Sequence, residues 1–141
     1  MSSLVLDSSG LWLMPEFCPR TKSIACGITS CSFIASWPAP LGMKIALQRV
    51  DGERAETIKS LSLNADGRSA DGPLLDAAAM KKGRYRIVFE VADYFRRRGV
   101  ALPEPAFIDV VRLDFGIADA DGHYHVPLLV SPWSYSTYRG S

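Results

Sequence analysis

Alternation of apolar and polar positions is clearest near the C-terminal end of the chain. Residues 123–130 read HYHVPLLV, and side chains on a strand point alternately to its two faces. One set of alternate positions is suited to a core face: Tyr124, Val126, Leu128 and Val130. The other set lines a surface, a groove or an interface: His123, His125, Pro127 and Leu129. The pattern therefore predicts a strand that carries both histidines of the chain on its open face.

A turn and a second strand follow. Ser131 and Pro132 interrupt the alternation, because proline cannot donate a hydrogen bond to a strand ladder. Residues 134–139 are rich in Tyr, Thr and Ser, which is typical of a strand. The sequence predicts two antiparallel strands joined by a tight turn.

The middle of the chain also alternates. Met43, Ile45 and Leu47 share one face of a strand, and Asp51-Gly52 is a turn signal that leads into a second strand up to Leu63. Residues 64–67 (NADG) predict another turn, with Arg68 directly after it. An arginine in this position is usually solvated surface, so the local pattern alone assigns it no role.

Residues 74–122 complete the element pattern. Residues 74–80 suit a loop with one helical turn, 85–91 a strand, 92–99 a short helix, 107–115 a strand and 119–122 a turn. The buried face of the first of these strands comprises Tyr85, Ile87, Phe89 and Val91. The run Arg96–Arg98 is interpreted as a solvated helix end rather than an anion site. Asp119 and Asp121 indicate calcium only weakly, because the other ligands of such a loop are missing.

These elements predict the fold class. Several short strands, hairpin turns and one short helix favour an all-β antiparallel sandwich. A chain of 141 residues has the size of a single domain, here residues 1–141, that buries a core without disulfides or metals.

Composition excludes several classes of partner. Lys and Arg number 16 against 15 Asp and Glu, so no bulk charge favours nucleic acid or an acidic membrane. Cys18, Cys26 and Cys31 are an odd number with no C-x-x-C pair. They predict free thiols in a reducing cytoplasm and no metal site.

Residues 8–41 are atypical of a compact domain. They hold all three cysteines and lack any charge from Ser23 to Met43. Small and polar residues dominate that stretch, which disfavours a membrane-spanning helix. Two interpretations remain open, an inserted loop and an aberrant segment from an altered reading frame. Residues 30–36 could also take the sheet edge in place of a strand at Ser3–Asp7.

A family resemblance enters at the histidine strand. The run from His123 to Leu129, Ser131-Pro132 and the tail Tyr138-Arg139-Gly140-Ser141 resemble the signature of the 5-hydroxyisourate hydrolases, the transthyretin-like enzymes of urate breakdown. Similar stretches lie upstream, at residues 42–52, 64–68 and 83–105. The resemblance covers residues 42–141.

The resemblance implies a fold and an assembly. It implies a transthyretin-like antiparallel β-sandwich of two sheets with about seven to eight strands and one short helix. It also implies a homotetramer, a dimer of dimers whose active sites lie in a channel where the dimers meet. No nucleic acid or membrane partner is implied.

The resemblance also implies a reaction and its residues. The reaction is hydrolysis of 5-hydroxyisourate to 2-oxo-4-hydroxy-4-carboxy-5-ureidoimidazoline by acid–base catalysis without metal or organic cofactor. His125 would handle the proton, and Arg68 would bind the substrate and stabilise developing charge. Tyr138 would donate a binding hydrogen bond. Ser141 would orient the site through its hydroxyl or the terminal carboxylate.

One departure from the family pattern gives an alternative. Leu4 stands where the resemblance places a further catalytic histidine. Loss of general acid–base help lowers rates by about 100- to 10,000-fold. The alternative hypothesis is a catalytically impaired, transthyretin-like protein that binds a small molecule.

Overall fold

Secondary structure in the computed structural model is almost entirely β. The structure describes residues 28–30, 33–35, 42–65, 67–69 and 71–140. The elements in these ranges are β1 Ile28–Ser30, β2 Phe33–Ala35, β3 Lys44–Asp51, β4 Arg54–Ser62, β5 Gly83–Glu90, α1 Val91–Arg97, β6 Val110–Ile117, β7 Tyr124–His125, β8 Leu128–Val130 and β9 Tyr135–Thr137.

Long strands form a four-stranded antiparallel sheet in the order β4-β3-β5-β6. The predicted hairpin between residues 42 and 63 is confirmed as β3 and β4, with Gly52 at a φ of +58° in its turn. Glycine suits this turn because other residues rarely adopt a positive φ. The predicted alternation is confirmed in β5, where Tyr85, Ile87 and Phe89 are buried.

The histidine strand belongs to a second layer of short strands. It is divided into β7 and β8, with Val126 and Pro127 between them. The hairpin predicted at this point is confirmed as the antiparallel pair β8 and β9, although β9 is shorter than the predicted 134–139. The expectation that Pro127 faces outward is wrong, because Pro127 is almost fully buried. A proline without an N–H interrupts the ladder at this point.

Two short strands from the atypical segment flank the histidine strand. β1 pairs with β7 and β2 pairs with β8, and both pairs are parallel. This agrees with the prediction that residues 30–36 could take an edge of the sheet, and it adds parallel pairs to a sandwich that is otherwise antiparallel. Ser3–Asp7, Leu4 and all three cysteines lie outside the described residues, as does most of segment 8–41.

The helix starts and ends slightly earlier than predicted. α1 begins at Val91, which was predicted to end the preceding strand, and the predicted stop at Gly99 follows it with a φ of +76°. Arg96 pairs with Glu104 at 2.8 Å and Arg97 with Asp93 at 2.9 Å, in agreement with a solvated helix end. Within the described residues, no helix is both long and apolar enough to span a membrane.

β6 starts three residues later than the prediction of 107–115 and ends at Ile117. Its partner β5 explains the shift, because the last pair of the ladder is Glu90 with Val110. Beyond Glu90 the chain turns into α1, so residues 107–109 have no strand to pair with. Phe107 is 72% exposed.

Both layers contribute to one hydrophobic core. The buried set includes Leu47, Ile87 and Phe89 from the four-stranded sheet and Tyr124, Leu128 and Val130 from the histidine layer. The alternate apolar positions predicted between residues 124 and 130 are therefore confirmed as core. The all-β sandwich with one short helix is confirmed as the fold class.

Candidate functional site

His125 lies at the end of β7 and is half-buried. Its backbone carbonyl accepts a hydrogen bond of 3.0 Å from the N–H of Gly140. Gly140 is itself buried against the imidazole, and a methyl group added there would lie 2.8 Å from Cγ of His125. Carbon atoms do not approach so closely without displacement, so the tail can cover His125 in this way only with glycine at position 140.

The surroundings of His125 lower its pKa. Burial is the largest cause, followed by the positive charges of Arg68 and then His123. Burial disfavours the charged imidazolium, and neighbouring positive charge acts in the same direction. His125 is therefore held neutral near pH 7, which is the form that can accept a proton.

A tight turn presents Arg68. The backbone N–H of Arg68 donates to Oδ1 of Asn64 at 3.0 Å, and the N–H of Asn64 donates to the carbonyl of Arg68 at 2.8 Å. Gly67 takes a φ of +72° within this turn, which glycine adopts without strain. The side chain of Arg68 is exposed, and its charge acts on His125. The fold thus brings together two site residues that are distant in sequence.

A cavity of about 470 Å³ lies beside His125. Tyr138 and Arg139 of the tail line it together with Tyr124 and residues of β6. Tyr138 is 52% exposed, so its hydroxyl is available to a ligand. The tail is anchored nearby, where the Thr137 hydroxyl donates to the carbonyl of Pro127 at 2.8 Å. The predicted binding residue Tyr138 therefore shares a cavity with His125.

Two predicted positions cannot be placed. Ser141 and Leu4 lie outside the described residues. Asp119 and Asp121 form a local turn, in which the N–H of Asp121 donates to Oδ1 of Asp119 at 3.1 Å. Among the residues that the structure describes, no three or more His, Cys, Asp or Glu side chains are grouped to hold a metal ion.

The sequence does not reveal the contacts of Gly140, Arg139 and Tyr124. The guanidinium carbon of Arg139 lies 5.3 Å from the ring centre of Tyr124, and Tyr124 directly precedes His125. The tail motif that carried the resemblance contains Arg139 and Gly140, but a sequence pattern does not show what they contact.

The arrangement supports general base catalysis with charge stabilisation. A neutral imidazole can take a proton from water, and a guanidinium can hold an oxygen that becomes negative. His125 lines a solvent-accessible cavity that a small polar substrate can enter, and the charge of Arg68 acts on His125. Hydrolysis of a carbonyl compound is the reaction class that fits best.

Comparison with known proteins gives the family. Residues 34–140 match the model of the HIUase/Transthyretin family. The chain is 56% identical over 100 residues to "5-hydroxyisourate hydrolase 2" of Rhizobium meliloti, covering 71% of this chain and 82% of the relative. It is 58% identical over 100 residues to the 5-hydroxyisourate hydrolase of Pseudomonas aeruginosa, covering 71% and 79%.

Solved structures show the same fold. The crystal structure of (S)-allantoin synthase matches with a TM-score of 0.75 and 39% identity over 84% of this chain, which spans 45% of that protein. The 5-hydroxyisourate hydrolase of Klebsiella pneumoniae matches with a TM-score of 0.60 and 31% identity, covering 80% of this chain and 100% of that protein.

Proposed function

The chain belongs to the HIUase/transthyretin family, and from this premise we propose that it hydrolyses 5-hydroxyisourate to 2-oxo-4-hydroxy-4-carboxy-5-ureidoimidazoline in urate catabolism. The relatives' names support this activity. The structural observation that carries it is the half-buried His125 with a lowered pKa beside the charge of Arg68.

The proposed mechanism uses side chains and one water molecule. Neutral His125 accepts a proton from water while the water oxygen bonds to a ring carbonyl carbon. Arg68 stabilises the negative charge that develops on the carbonyl oxygen. The ring C–N bond then breaks, and His125 returns the proton to the departing nitrogen. Tyr138 binds the substrate by a hydrogen bond, and Ser141 orients the site.

The test is loss of freshly generated 5-hydroxyisourate, followed by ultraviolet absorbance. We expect activity in the natural chain and a fall of about 100- to 10,000-fold in kcat/KM in His125→Ala, the usual effect of losing a general base. His123→Ala is the matched control, because His123 is exposed on the same segment. Equal loss in both variants, or no activity in the natural chain, would contradict the proposal.

Arg68→Lys tests the second group. Lysine keeps the charge but not the planar, two-pronged donor of arginine. We expect a fall in kcat/KM of about tenfold or more if Arg68 binds substrate oxygens in this way. Lys59→Gln serves as a control, because Lys59 lies on β4 and its ammonium group donates to the carbonyl of Pro73, in the loop between β4 and β5.

We also infer that the protein is a homotetramer. Phe107 and Trp133 are 72% and 58% exposed, and their ring centres lie 6.3 Å apart. In the described pairing, β6 bonds on one side to β5 and has no partner on the other. Exposed aromatic groups and unpaired strand edges are typical of surfaces that bury against another chain. A facing copy would also exclude water from the cavity beside His125.

Sedimentation velocity tests the assembly. We expect Phe107→Ser and Trp133→Ser to shift the protein from tetramer to smaller species. Ile58→Ser is the matched control, because Ile58 is 45% exposed on β4 of the four-stranded sheet. A monomeric natural chain would refute the inference.

A cytoplasmic location is proposed on the cysteine content. The odd number of cysteines, three, suits free thiols in a reducing compartment. Thiol titration of protein purified without reductant should find all of them free, and detection of a disulfide would argue against this location.

A further inference from the structure

Tyr124 is fixed at both ends. Its ring lies in the core, with 7% of the residue exposed. Its hydroxyl oxygen accepts hydrogen bonds from the backbone N–H groups of Ala118 at 3.0 Å and Asp119 at 2.9 Å. A ring held by the core on one side and by a turn at its tip has little freedom to move.

The tail contacts this ring and the imidazole in successive residues. The guanidinium of Arg139 lies over Tyr124, with 5.3 Å between the guanidinium carbon and the ring centre. The next residue, Gly140, bonds to the carbonyl of His125 and packs on its ring. Tyr124 and His125 are neighbours in β7, so two successive tail residues match two successive strand residues.

Residues 138–140 of the tail have less strand pairing than residues 135–137. β9 pairs with β8 from Tyr135 to Thr137, and the next bridge is that of Gly140 with His125. Tyr138 and Arg139 lie between these two points, outside the strand. A cation over an aromatic ring is attracted to the ring face, so Arg139 supplies a side-chain anchor where the ladder is interrupted.

We propose that Arg139 is a positioning residue, which rests on Tyr124 and thereby holds Gly140 against the imidazole of His125. Its contribution to catalysis rests on the proposed function, whereas its effect on the tail does not. The ring orientation of His125 is then set by the tail as well as by β7. Displacements of about 1 Å in such positions can lower rates about 100-fold.

A direct role in substrate binding is the competing explanation. Arg139 lines the same cavity as His125 and Tyr138. If Arg139 acted by binding substrate, its loss would raise KM, and replacement of Tyr124 would have little effect. If it acts through Gly140, its loss and the loss of the Tyr124 ring lower kcat alike.

The pKa of His125 depends on whether the tail covers the imidazole. Arg68 lies across from His125 in the turn after β4, and His123 precedes it in the chain. β6 adds Arg112 and Asp114 to the cavity wall. A loosened tail admits water, so the pKa of His125 rises toward its ordinary value of 6.5. Removal of a nearby positive charge also raises the pKa of an imidazole, so variants that keep the charge of Arg139 are required.

The experiment combines NMR titration of the imidazole with kcat and KM for 5-hydroxyisourate, on the full chain. The variants are Arg139→Gln, Arg139→Lys, Tyr124→Leu and Tyr124→Phe. His123→Gln assigns the two histidine signals. Arg49→Gln is the matched control, because the Arg49 guanidinium lies 6.0 Å from the ring centre of Tyr85 in the four-stranded sheet.

We expect Arg139→Gln and Tyr124→Leu to raise the pKa of His125 and to lower kcat about tenfold, with KM changed by less than about threefold. Tyr124→Phe keeps the ring and stays closer to the natural chain. Arg49→Gln leaves the pKa and kcat unchanged.

Three outcomes would overturn the proposal. If Arg139→Gln raises KM while Tyr124→Leu keeps the kcat and KM of the natural chain, Arg139 is a substrate contact. A pKa rise in Arg139→Gln without one in Tyr124→Leu, which keeps the charge of Arg139 and removes the ring, would reduce the role of Arg139 to charge. If Tyr124→Leu does not fold, Arg139→Lys decides, because lysine keeps the charge without the planar stacking of the guanidinium. Unchanged titration in every variant would remove the positioning role. If the natural chain does not hydrolyse 5-hydroxyisourate, the proposed function fails while the titration still tests the tail.

Discussion

The two layers of the sandwich are built differently. The four-stranded sheet has strands of 8 or 9 residues with nearly unbroken antiparallel registers. The histidine layer has strands of 2 or 3 residues, two parallel pairs and a break at Val126 and Pro127. Long ladders and alternating side chains stabilise the first layer, whereas the second leaves room for the tail to fold onto His125. Here the regular layer supports the fold and is followed at the end of β4 by Arg68, whereas the interrupted layer holds His125 and the tail.

Shortening a buried side chain of the four-stranded sheet should have the largest effect on stability. Phe89 is fully buried in β5, and Phe→Ala in a core costs about 3–5 kcal/mol of unfolding free energy. Denaturant unfolding of Phe89→Ala checks this. Val88→Ala, on the opposite face of the same strand, should cost clearly less, and equal costs would show that the two faces are not distinguished as described.

Alanine substitutions at two glycines, one on β6 and one in the tail, allow a direct comparison of the layers. A methyl group at Gly116 on β6 would meet no atom within 4 Å, whereas one at Gly140 would lie 2.8 Å from Cγ of His125. We expect Gly140→Ala to lower kcat/KM by about 10- to 100-fold, since the tail must shift away from the imidazole. Gly116→Ala adds a methyl group to the wall of the same cavity without meeting another atom, so it should keep its stability and lose clearly less activity than Gly140→Ala. Comparable activity in the two variants would show that the tail does not need to cover His125.

A smaller effect is expected from pH, and it comes from His125 in the histidine layer. In the proposed mechanism the neutral form of His125 acts as the base, and its pKa is lowered from the ordinary value of 6.5. The rate, measured as kcat/KM, should therefore stay level as pH falls to 6.5 and then drop about tenfold per unit below the lowered pKa. Stability follows the same sign, because the unfolded chain binds this proton more readily and the fold loses stability as pH falls below 6.5.

His123→Gln should shift this pH profile. The charge of His123 contributes to the lowered pKa of His125, so its removal should move the acid limb to higher pH while leaving the maximum rate in place. An unchanged limb would mean that another group sets the profile.

The smallest effect should come from the outer face of the four-stranded sheet. Nε and Nη2 of Arg86 donate to the two carboxylate oxygens of Asp114, the second at 2.9 Å. Arg86 is partly exposed and Asp114 is exposed, so solvent screens the pair. We expect Arg86→Gln to change the thermal midpoint by at most a few degrees, measured by thermal unfolding. A shift as large as that of Phe89→Ala would show that the pair is not screened in this way.

Sequence predicted the regular layer better than the interrupted one. The hairpin of β3 and β4 and the buried face of β5 follow from alternation, which each strand shows by itself. The start of β6 was predicted too early, because Phe107 suits a strand but its partner strand has already become α1. Pro127 was placed on the wrong face for a similar reason, since the alternation continues through a point where the ladder stops.

The site was predicted in part. His125, Arg68 and Tyr138 were named from the sequence, and the fold places the charge of Arg68 near His125 and Tyr138 in the same cavity. The cover of His125 by Gly140 and the contact of Arg139 with Tyr124 were not predicted. They depend on where a tail of irregular structure returns to β7, and no local pattern encodes that.

The amino-acid sequence by itself determined the apolar faces, the turns and the identity of the chemical groups, because these depend on neighbours in the chain. Tertiary structure decided which strand flanks the histidine strand, which glycine must remain a glycine and which charges lower the pKa of His125. Those properties depend on distances between residues far apart in sequence, such as Arg68 and His125, and folding alone sets such distances.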